Sequence, residues 1–418
     1  MTKKERIKAA LNHTQPDRVP VDLGSTSVTG IHVLAIERLR NYYGLEKRPV
    51  KLIEPYQMLG EIDNDLAEIL HLDTVGLYPR NGMFGFPNDS WKEFRTHWGQ
   101  LLLVPGNFNV IKDENGDYLM FPEGDISAPP SGKMPKTGYF FDTIIRQEPI
   151  IEESLNPEDN LEEFKLLSDL DLQYWKNQIS NVVNSEKGVV ANFGGTAIGD
   201  IALVPAPFLK HPKGIRDITE WYISTVSRPD YIKYIFEKQT DIVLENFRML
   251  FDIVGNNIDV VFLCGTDFGT QNSSFCSLDT FDELYLPYYQ KMNNWIHEHT
   301  TWKTFKHSCG AVEPFMEHFI KAGFDIINPV QINAAGMDPL HLKKKYGDRL
   351  VFWGGGVDTQ KVLPFGKPSD VEKHVLETCE IFSKNGGFVF NTVHNIQANV
   401  PVENIAAIFT ALNKFNSY

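Results

Sequence analysis

Short apolar runs that end in small or polar residues recur along the chain and predict buried β-strands. Parallel strands that are buried on both faces are nearly continuous in apolar residues, whereas the helices between them repeat every 3.6 residues. Eight such runs occur, at residues 19–24, 74–78, 189–193, 260–264, 304–307, 326–330, 350–353 and 388–391. From the fourth run onward, each run is followed by a stretch with helical periodicity. This alternation predicts an α/β fold, a (β/α)8 TIM-type barrel.

The residues between the second and the third run break this alternation. A hairpin pattern covers residues 108–120, with Glu114-Asn115-Gly116-Asp117 at its tip, and residues 126–141 are rich in proline, glycine and serine. We therefore predict a single barrel domain over residues 1–418, with an insertion at 80–185 that carries the hairpin. Because long loops at a barrel mouth often carry functional residues, we expect this insertion to cover the mouth as a lid.

Composition and charge narrow the class of ligand. The chain is 42% hydrophobic and 22% charged, as is usual for a globular protein, and its formal net charge is −14. Such a charge opposes binding to nucleic acids and to anionic membranes. The first residues are charged and helical in pattern, and no window approaches the roughly 18 apolar residues of a membrane span. We therefore expect a cytoplasmic protein that binds a small molecule.

Polar and small residues concentrate where the predicted strands end. The catalytic groups of a TIM barrel stand at the carboxyl ends of its strands. The residues found there are Gly24-Ser25-Thr26, Tyr78, Gly194-Gly195-Thr196, Asp267, His307 with Cys309, Asn328 with Gln331, Gly354-Gly355-Gly356 with Asp358, and His394. We expect catalytic or polar wall residues at Asp267, Gln331, Asp358 and His394. Gly354, Gly355, Gly356 and Asn328 are expected to contact a cofactor or substrate closely, although the glycines lack the spacing of a dinucleotide loop.

The pair His307 and Cys309 is the clearest candidate for a metal site. Side chains two residues apart leave the same face of a strand, and Gly310 then permits a sharp turn. An imidazole nitrogen and a thiolate suit Zn2+, and two or three protein ligands with one open position are typical of a catalytic zinc site. Asp267 and His394 face the same mouth, and either one could complete the set. Strands five and eight are not neighbours, so His394 would have to reach across the mouth.

Other interpretations of these residues stay open. His307 and Cys309 could be a hydrogen-bonded histidine and a buried thiol, Asp267 a turn carboxylate that caps backbone amides, and His394 an acid–base group without a metal. The remaining cysteines are too few and too scattered for a disulfide framework. We expect Cys264 and Cys379 to be core residues, and Cys276 lies in a polar loop without an obvious partner.

Several segments of the C-terminal half resemble the uroporphyrinogen decarboxylase-like superfamily of TIM barrels. They are Lys306-His307-Ser308-Cys309-Gly310, Asn328-Pro329-Val330-Gln331, Phe352-Trp353-Gly354-Gly355-Gly356-Val357-Asp358, and His394-Asn395-Ile396-Gln397 followed by Val400-Pro401-Val402-Glu403-Asn404. The resemblance covers nearly the whole of that half and, more loosely, Asp17-Arg18-Val19-Pro20.

The decarboxylase branch of this superfamily fits the chain poorly. True uroporphyrinogen decarboxylases carry an arginine-rich segment after the first strand and an aspartate at the end of the second. Here the first run is followed by Gly24-Ser25-Thr26-Ser27, with no arginine between Arg18 and Arg38, and the second ends in Leu77-Tyr78-Pro79-Arg80. A substrate with many carboxylates needs fixed cations, which this segment does not supply.

The corrinoid-dependent methyltransferase branch fits better. Its members bind zinc with an H-x-C pair and a later cysteine. His307 and Cys309 match the pair, and His394 falls near the place of the later cysteine. The resemblance therefore implies a zinc-dependent methyltransferase that moves a methyl group between a corrinoid protein carrying methylcobalamin and a small thiol or reduced folate. A decarboxylase acting on a small carboxylic acid and a non-catalytic ligand-binding or corrinoid-protein partner subunit are the alternatives.

Overall fold

The fold is given by a computed structural model, which describes residues 1–194 and 196–417. Gly195, one of the predicted strand-end residues, and Tyr418, the last residue of the predicted domain, lie outside the described residues. The strands are β1 (Val50–Glu54), β2 (Leu59–Gly60), β3 (Thr74–Leu77), β4 (Lys92–Arg95), β5 (Leu101–Val104), β6 (Val110–Lys112), β7 (Tyr118–Met120), β8 (Gly132–Met134), β9 (Asp142–Thr143), β10 (Gly188–Ala191), β11 (Val260–Cys264), β12 (Lys303–His307), β13 (Ile326–Asn328), β14 (Val351–Trp353) and β15 (Phe388–Val389).

Helices alternate with strands in the second half of the chain. The α-helices are α1 (Lys3–Leu11), α2 (Val33–Tyr42), α3 (Asn64–Ile69), α4 (Asp169–Val182), α5 (Ile218–Ser227), α6 (Pro229–Val254), α7 (Leu278–Leu284), α8 (Leu286–His299), α9 (Met316–Lys321), α10 (Pro339–Tyr346), α11 (Val362–Phe365), α12 (Pro368–Phe382) and α13 (Val402–Phe415). Short 3-10 helices cover Pro122–Gly124, Glu152–Ser154, Pro157–Asn160 and Glu313–Phe315. In the described part of the chain, no helix combines the length and the apolar character needed to cross a membrane.

Seven parallel strands form the central sheet, in the order β15-β14-β13-β12-β11-β10-β3. The two edge strands are joined through Val21, which forms a parallel bridge with Phe390. The Phe390 amide donates to the Pro20 carbonyl at 2.8 Å, and the Asp73 amide donates to the Val21 carbonyl at 2.8 Å. The sheet therefore curls into the TIM-type barrel that the alternation predicted.

The predicted first strand, residues 19–24, is the one that needs correction. Only Val21 bridges to a neighbouring strand, because the amides that would form a ladder are bound to side chains. The Val19 amide donates to the side chain of Asn416, and the Val21 amide donates to the carboxylate of Asp73, each at 2.9 Å. The other seven predicted strands are present, with ends that differ by a few residues.

The barrel interior is filled by apolar side chains and closed from beneath by α1. The inner cluster comprises Ile7, Ala10, Leu11, Val190, Val260, Phe262, Phe305, Ile326, Val351, Trp353 and Val389. The first three belong to α1, which begins with a capping box between Thr2 and Glu5. Because the floor of the barrel is packed in this way, only the opposite end, where the strands terminate, is left for chemistry.

Two smaller sheets lie outside the barrel strands. Their orders are β2-β1-β5-β4 and β6-β7-β8-β9. In the second, β6 and β7 pair antiparallel, with Val110 opposite Met120 and Lys112 opposite Tyr118. The turn between them is closed by a hydrogen bond from the Asp113 amide to the Asp117 carbonyl. The division of the chain into one domain with a lid at residues 80–185 remains a prediction.

Candidate metal centre

The loops that follow β11 and β12 are joined directly by hydrogen bonds. The Cys309 amide donates to the Asp267 carboxylate at 2.6 Å, and the Phe268 amide donates to the Ser308 hydroxyl at 3.0 Å. Asp267 is therefore beside Cys309 because its carboxylate caps the turn that carries the cysteine. The structure thus shows Asp267 as a turn-capping carboxylate, and its role as a metal ligand remains a prediction.

Two glycines make this close approach of the loops possible. A Cβ atom on Gly310, whose φ is +90°, would lie 2.3 Å from the carbonyl oxygen of Gly269. A Cβ on Gly269 would in turn lie 2.7 Å from the Ala311 nitrogen, and the Ala311 amide donates to the Thr270 carbonyl at 2.8 Å. A larger residue at either glycine would push the two loops apart.

His307 is oriented by a chain of two hydrogen bonds. Its Nδ1 is 2.6 Å from Oδ1 of Asn328, and Nδ2 of Asn328 donates to the Trp353 carbonyl at 2.7 Å. Because that carbonyl can only accept, the Asn328 amide must present its oxygen to His307, and Nδ1 of His307 must carry the proton. The lone pair of His307 is therefore on Nε2, the atom that faces Cys309. Asn328 thus orients this histidine, and its predicted contact with a cofactor or substrate remains a prediction.

His394 reaches the same place from the loop after β15. Its ring centroid is 5.6 Å from that of His307, with the planes 69° apart. Neither ring nitrogen of His394 forms a hydrogen bond with another described residue. Its loop is held by the neighbouring Asn395, which accepts from the Gly30 amide at 2.5 Å and donates to the Ser27 carbonyl at 2.8 Å. The expected reach across the mouth is therefore achieved, with an imidazole that has both nitrogens free.

The three candidate ligands converge. Ligand atoms of His307, Cys309 and His394 all lie within 4.8 Å of one another, and the Cys309 sulfur is 3.4 Å from Nε2 of His307. Typical zinc–nitrogen and zinc–sulfur bond lengths in a tetrahedral site imply a nitrogen–sulfur separation of ~3.5 Å. The donor set therefore fits zinc and leaves one position open. Oδ1 of Asp267 is 4.0 Å from Nε2 of His307, and the same oxygen accepts the hydrogen bond from the Cys309 amide.

Burial sets the protonation state of these groups. It lowers the pKa of both His307 and His394 to about 4, so the imidazoles are neutral at pH 7, as metal ligands must be. Burial, with the nearby charge of Asp267, raises the pKa of the Cys309 thiol. A metal bound here would therefore displace one proton, from the cysteine.

Asp200 and Tyr222 belong to the site but have no counterpart among the predicted residues. Burial and the charge of Asp267 raise the pKa of Asp200 to about 6. A Cβ on Gly265 would lie 2.6 Å from the Asp200 carboxylate, so the glycine after β11 makes room for it. Tyr222 of α5 has its hydroxyl 3.5 Å from the Asp267 carbonyl and stacks on Phe275 at 4.7 Å. Asp200 comes from an irregular loop and Tyr222 from a helix, so the strand pattern does not indicate either one. The signal that the sequence does offer is Gly265, whose lack of a side chain leaves space at the end of β11.

Gln331 and Asp358 form hydrogen bonds that shape the rim. The Gly310 amide donates to Oε1 of Gln331 at 2.8 Å, so this glutamine holds the turn that follows Cys309. Asp358 accepts from the amides of Gln360 at 2.7 Å and Lys361 at 3.1 Å. Both side chains thus support the loops of the mouth, and their predicted catalytic role remains a prediction.

The three glycines after β14 are closely packed, and their predicted contact with a cofactor or substrate remains a prediction. A Cβ on Gly354 would lie 2.3 Å from the Pro329 carbonyl oxygen, and one on Gly356 would lie 2.2 Å from the Phe390 ring. The Gly354 amide donates to the Val389 carbonyl of β15 at 3.1 Å, and the Gly356 amide donates to the Asn391 carbonyl, just after β15, at 2.9 Å. Because those amides are already bonded, they are not free to cradle a phosphate. Gly355, with φ of +72°, lies in the turn between them.

The remaining cysteines match the sequence-based expectation. Cys264 and Cys379 are buried and Cys276 is partly buried, and all four cysteines are free thiols. The Cys264 thiol donates to the Tyr289 hydroxyl at 3.4 Å. None of these three lies with the His307, Cys309 and His394 ligand atoms.

Comparison with known proteins agrees with this architecture. The model of the family described as uroporphyrinogen decarboxylase (URO-D) matches residues 138–415. Among solved structures, a methyltransferase from Methanosarcina mazei is similar over 99% of this chain and 99% of its own, with a TM-score of 0.56 and 16% sequence identity. At that identity the likeness establishes a shared fold. No curated protein sequence matches the chain.

Proposed function

This chain belongs to the uroporphyrinogen decarboxylase family, and within it we propose a zinc-dependent methyltransferase that moves a methyl group between a corrinoid protein carrying methylcobalamin and a small thiol or reduced folate. The observation that carries the proposal is the convergence of ligand atoms from His307, Cys309 and His394 at the barrel mouth. Zinc held by these residues would bind an acceptor thiol at its open position and lower the pKa of that thiol.

The chemistry of the transfer explains why such a set is useful. In the direction of a thiol acceptor, the sulfur lone pair forms the new bond to carbon, while the cobalt–carbon bond breaks and leaves its electron pair on cobalt. The thiol proton must leave first, because a neutral thiol is a poor nucleophile. Asp200, whose pKa is raised to about 6 by burial, is the carboxylate at the mouth that is best matched to accept this proton near neutral pH.

The charges at the mouth favour this reaction over decarboxylation of a substrate with many carboxylates. Asp200 and Asp267 would repel such a substrate. The arginine that follows the second barrel strand, Arg80, lies 3.6 Å from Asp171 and is thereby partly neutralised. Arg80 is therefore poorly suited to bind several carboxylates of a substrate.

Metal analysis of the protein purified without chelators tests the first half of the proposal. We expect about one zinc per chain in the wild type, and loss of zinc in His307→Ala and Cys309→Ser. His299→Ala removes an exposed histidine of α8 and serves as the matched control, which should retain the metal. A wild type that holds no zinc when the metal is supplied would refute the proposed centre.

Methyl transfer itself is tested with free methylcobalamin and 2-mercaptoethanol as probes. We expect a loss of methylcobalamin absorbance that depends on the zinc-loaded protein and disappears in Cys309→Ser. The proposal would be contradicted if the zinc-loaded protein transferred no methyl group from methylcobalamin, either to 2-mercaptoethanol or to a reduced folate. Release of carbon dioxide from a small carboxylic acid in the absence of any corrinoid would favour the decarboxylase alternative.

A further inference from the structure

A buried lysine lies directly behind the candidate ligands. Alternate residues of β12 face opposite sides, so Phe305 and His307 point into the barrel and Lys306 points outward, into the layer between barrel and helices. That layer is normally apolar. Lys306 is nevertheless 0% exposed, and its ammonium forms no ion pair with a carboxylate among the described residues. Burial of a charge without a counter-ion destabilises the folded protein, so we expect Lys306 to have a role that offsets this cost.

The surroundings of the ammonium compensate part of this cost. Its nitrogen lies 5.1 Å from the ring centre of Phe268, 5.8 Å from that of Tyr289 and 5.9 Å from that of Phe319. Aromatic faces attract cations, and more strongly where water is excluded. The rings come from the loop after β11 and from helices α8 and α9, so the ammonium is enclosed from several directions.

Two backbone carbonyls complete the contacts of Lys306. Its ammonium donates to the Thr266 carbonyl at 2.5 Å and to the His307 carbonyl at 2.6 Å. Thr266 directly precedes Asp267, and His307 is itself a candidate ligand that precedes the turn carrying Cys309. One cation therefore joins the two loops from behind, while the bond from the Cys309 amide to Asp267 joins them from the front.

The position of the charge also matters to the anionic groups of the mouth. Lys306 acts to lower the pKa of Asp267, Asp200 and Cys309, against the effect of burial, which raises all three. In surroundings of low dielectric constant, a fixed cation favours negative charge on neighbouring groups.

We propose that Lys306 is a positioning residue of the metal centre: its buried ammonium holds the Thr266 and His307 carbonyls together and thereby fixes the Cys309 sulfur relative to His307 and Asp267. The inference rests on the proposed function in that it requires the site to bind a metal. An apolar residue would fit the surrounding layer at a lower cost in free energy, but it could not bind the two carbonyls.

The test measures Co2+ binding to the metal-free protein, because Co2+ reports its ligands through visible absorption. In Lys306→Met, we expect a folded protein whose Co2+ affinity is about 10- to 100-fold weaker, the range usual for loss of a group that supports metal ligands. The sulfur-to-cobalt charge-transfer band should also lose intensity, because Cys309 is no longer held in place.

Lys343→Met is the matched control. Lys343 is a partly buried lysine of α10 that donates to the Gly386 carbonyl at 2.6 Å, at the end of the barrel away from the mouth. Its substitution removes the same kind of bond and should lower thermal stability without changing the Co2+ spectrum or affinity. If Lys306→Met loses stability in the same way and keeps the wild-type Co2+ affinity and spectrum, the role of Lys306 is structural and the inference is wrong.

Two further variants keep the inference testable if Lys306→Met does not fold. Lys306→Arg retains the charge and several donors, whereas Lys306→Gln is neutral and can donate to fewer carbonyls. We expect the Co2+ affinity to fall in the order wild type, arginine, glutamine, and equal affinities in the wild type and Lys306→Gln would overturn the inference. A wild type that binds neither Co2+ nor Zn2+ instead refutes the proposed function, so the two failures are distinguishable.

Discussion

His307 and Asn328 lie directly opposite each other in the pairing of β12 with β13, and Oδ1 of Asn328 is 2.6 Å from Nδ1 of His307. The register of the two strands thus determines which nitrogen of His307 is available to a metal. The further bond from Asn328 to the Trp353 carbonyl extends this control to β14. Three adjacent strands therefore orient one imidazole, which is typical of histidines that bind metals through a supporting group.

Substitution of Asn328 should weaken metal binding in a graded way. Asn328→Leu removes the acceptor for Nδ1 of His307, and we expect zinc affinity to fall by about 10- to 100-fold. Asn328→Asp keeps that acceptor but places a second oxygen against the Trp353 carbonyl in place of the donor, so its affinity should lie between those of the wild type and Asn328→Leu. Competition with a chromophoric chelator measures both. Asn333→Ala, which removes an amide from the rim near Asp358, should leave affinity unchanged, and wild-type affinity in Asn328→Leu would contradict this orientation of His307.

Metal binding should release one proton, and so depend on pH. Burial raises the pKa of the Cys309 thiol above its ordinary value, whereas the pKa values of His307 and His394 are lowered to about 4. Between pH 6 and pH 8 only the cysteine must lose a proton, so the apparent affinity for zinc should rise about tenfold per pH unit. Calorimetry in buffers of different ionisation enthalpy counts the protons released. A slope of zero in the wild type would show that Cys309 does not bind as a thiolate.

Gly310→Ala should separate the two loops of the site. A Cβ there meets the Gly269 carbonyl at 2.3 Å, in addition to the strain of φ at +90°. Gly99 has nearly the same φ, +88°, with nothing within 4 Å of a Cβ, so Gly99→Ala measures the strain alone. We expect Gly99→Ala to cost about 1–2 kcal/mol of unfolding free energy and Gly310→Ala to cost more and to lose metal. Equal losses in denaturant unfolding would mean that the contact with Gly269 can relax.

The sequence predicted those parts of the site that depend on strand periodicity. His307 and Cys309 share a face because they are two residues apart on a strand, and His394 was placed at the same mouth by the strand count alone. The partnership of His307 with Asn328 was not predictable, because it depends on the register between strands, which apolar runs do not specify. For the same reason, the packing of Gly354 against the Pro329 carbonyl could not be distinguished from a ligand contact.

The site residues that the sequence did not predict come from segments without a periodic pattern of apolar residues. Asp200 follows β10 in an irregular loop, and Tyr222 lies on a helix whose distance from the mouth depends on how that loop folds. The first barrel strand was overestimated for a related reason. Its apolar pattern is genuine, but the amides of Val19 and Val21 bind side chains of Asn416 and Asp73, which are remote in sequence. Side-chain capping of this kind leaves no signal in a hydrophobic pattern.

Glu313 should contribute stability that is lost in acid. This carboxylate follows the Cys309 turn; burial acts to raise its pKa, but hydrogen bonds from His341, Lys345 and Tyr346 of α10 outweigh burial and lower it to about 2. A carboxylate whose pKa is below its ordinary value of 4.5 when folded stabilises the protein fully above pH 4.5. That contribution, roughly 2–3 kcal/mol, is lost as the pH falls through about 2.

Unfolding by denaturant at pH 7 and pH 3 tests this linkage. Glu313→Gln should be less stable than the wild type at pH 7, and the difference in unfolding free energy should be smaller at pH 3. At that pH the wild type has lost part of the stabilisation by the ionised carboxylate, which the variant lacks at every pH. Glu93→Gln, which removes an exposed carboxylate of β4 without an ion pair among the described residues, should show the same small difference at both pH values. A stability difference for Glu313→Gln that is independent of pH would mean that the contact between Glu313 and α10 is held by packing and neutral hydrogen bonds rather than by the charge.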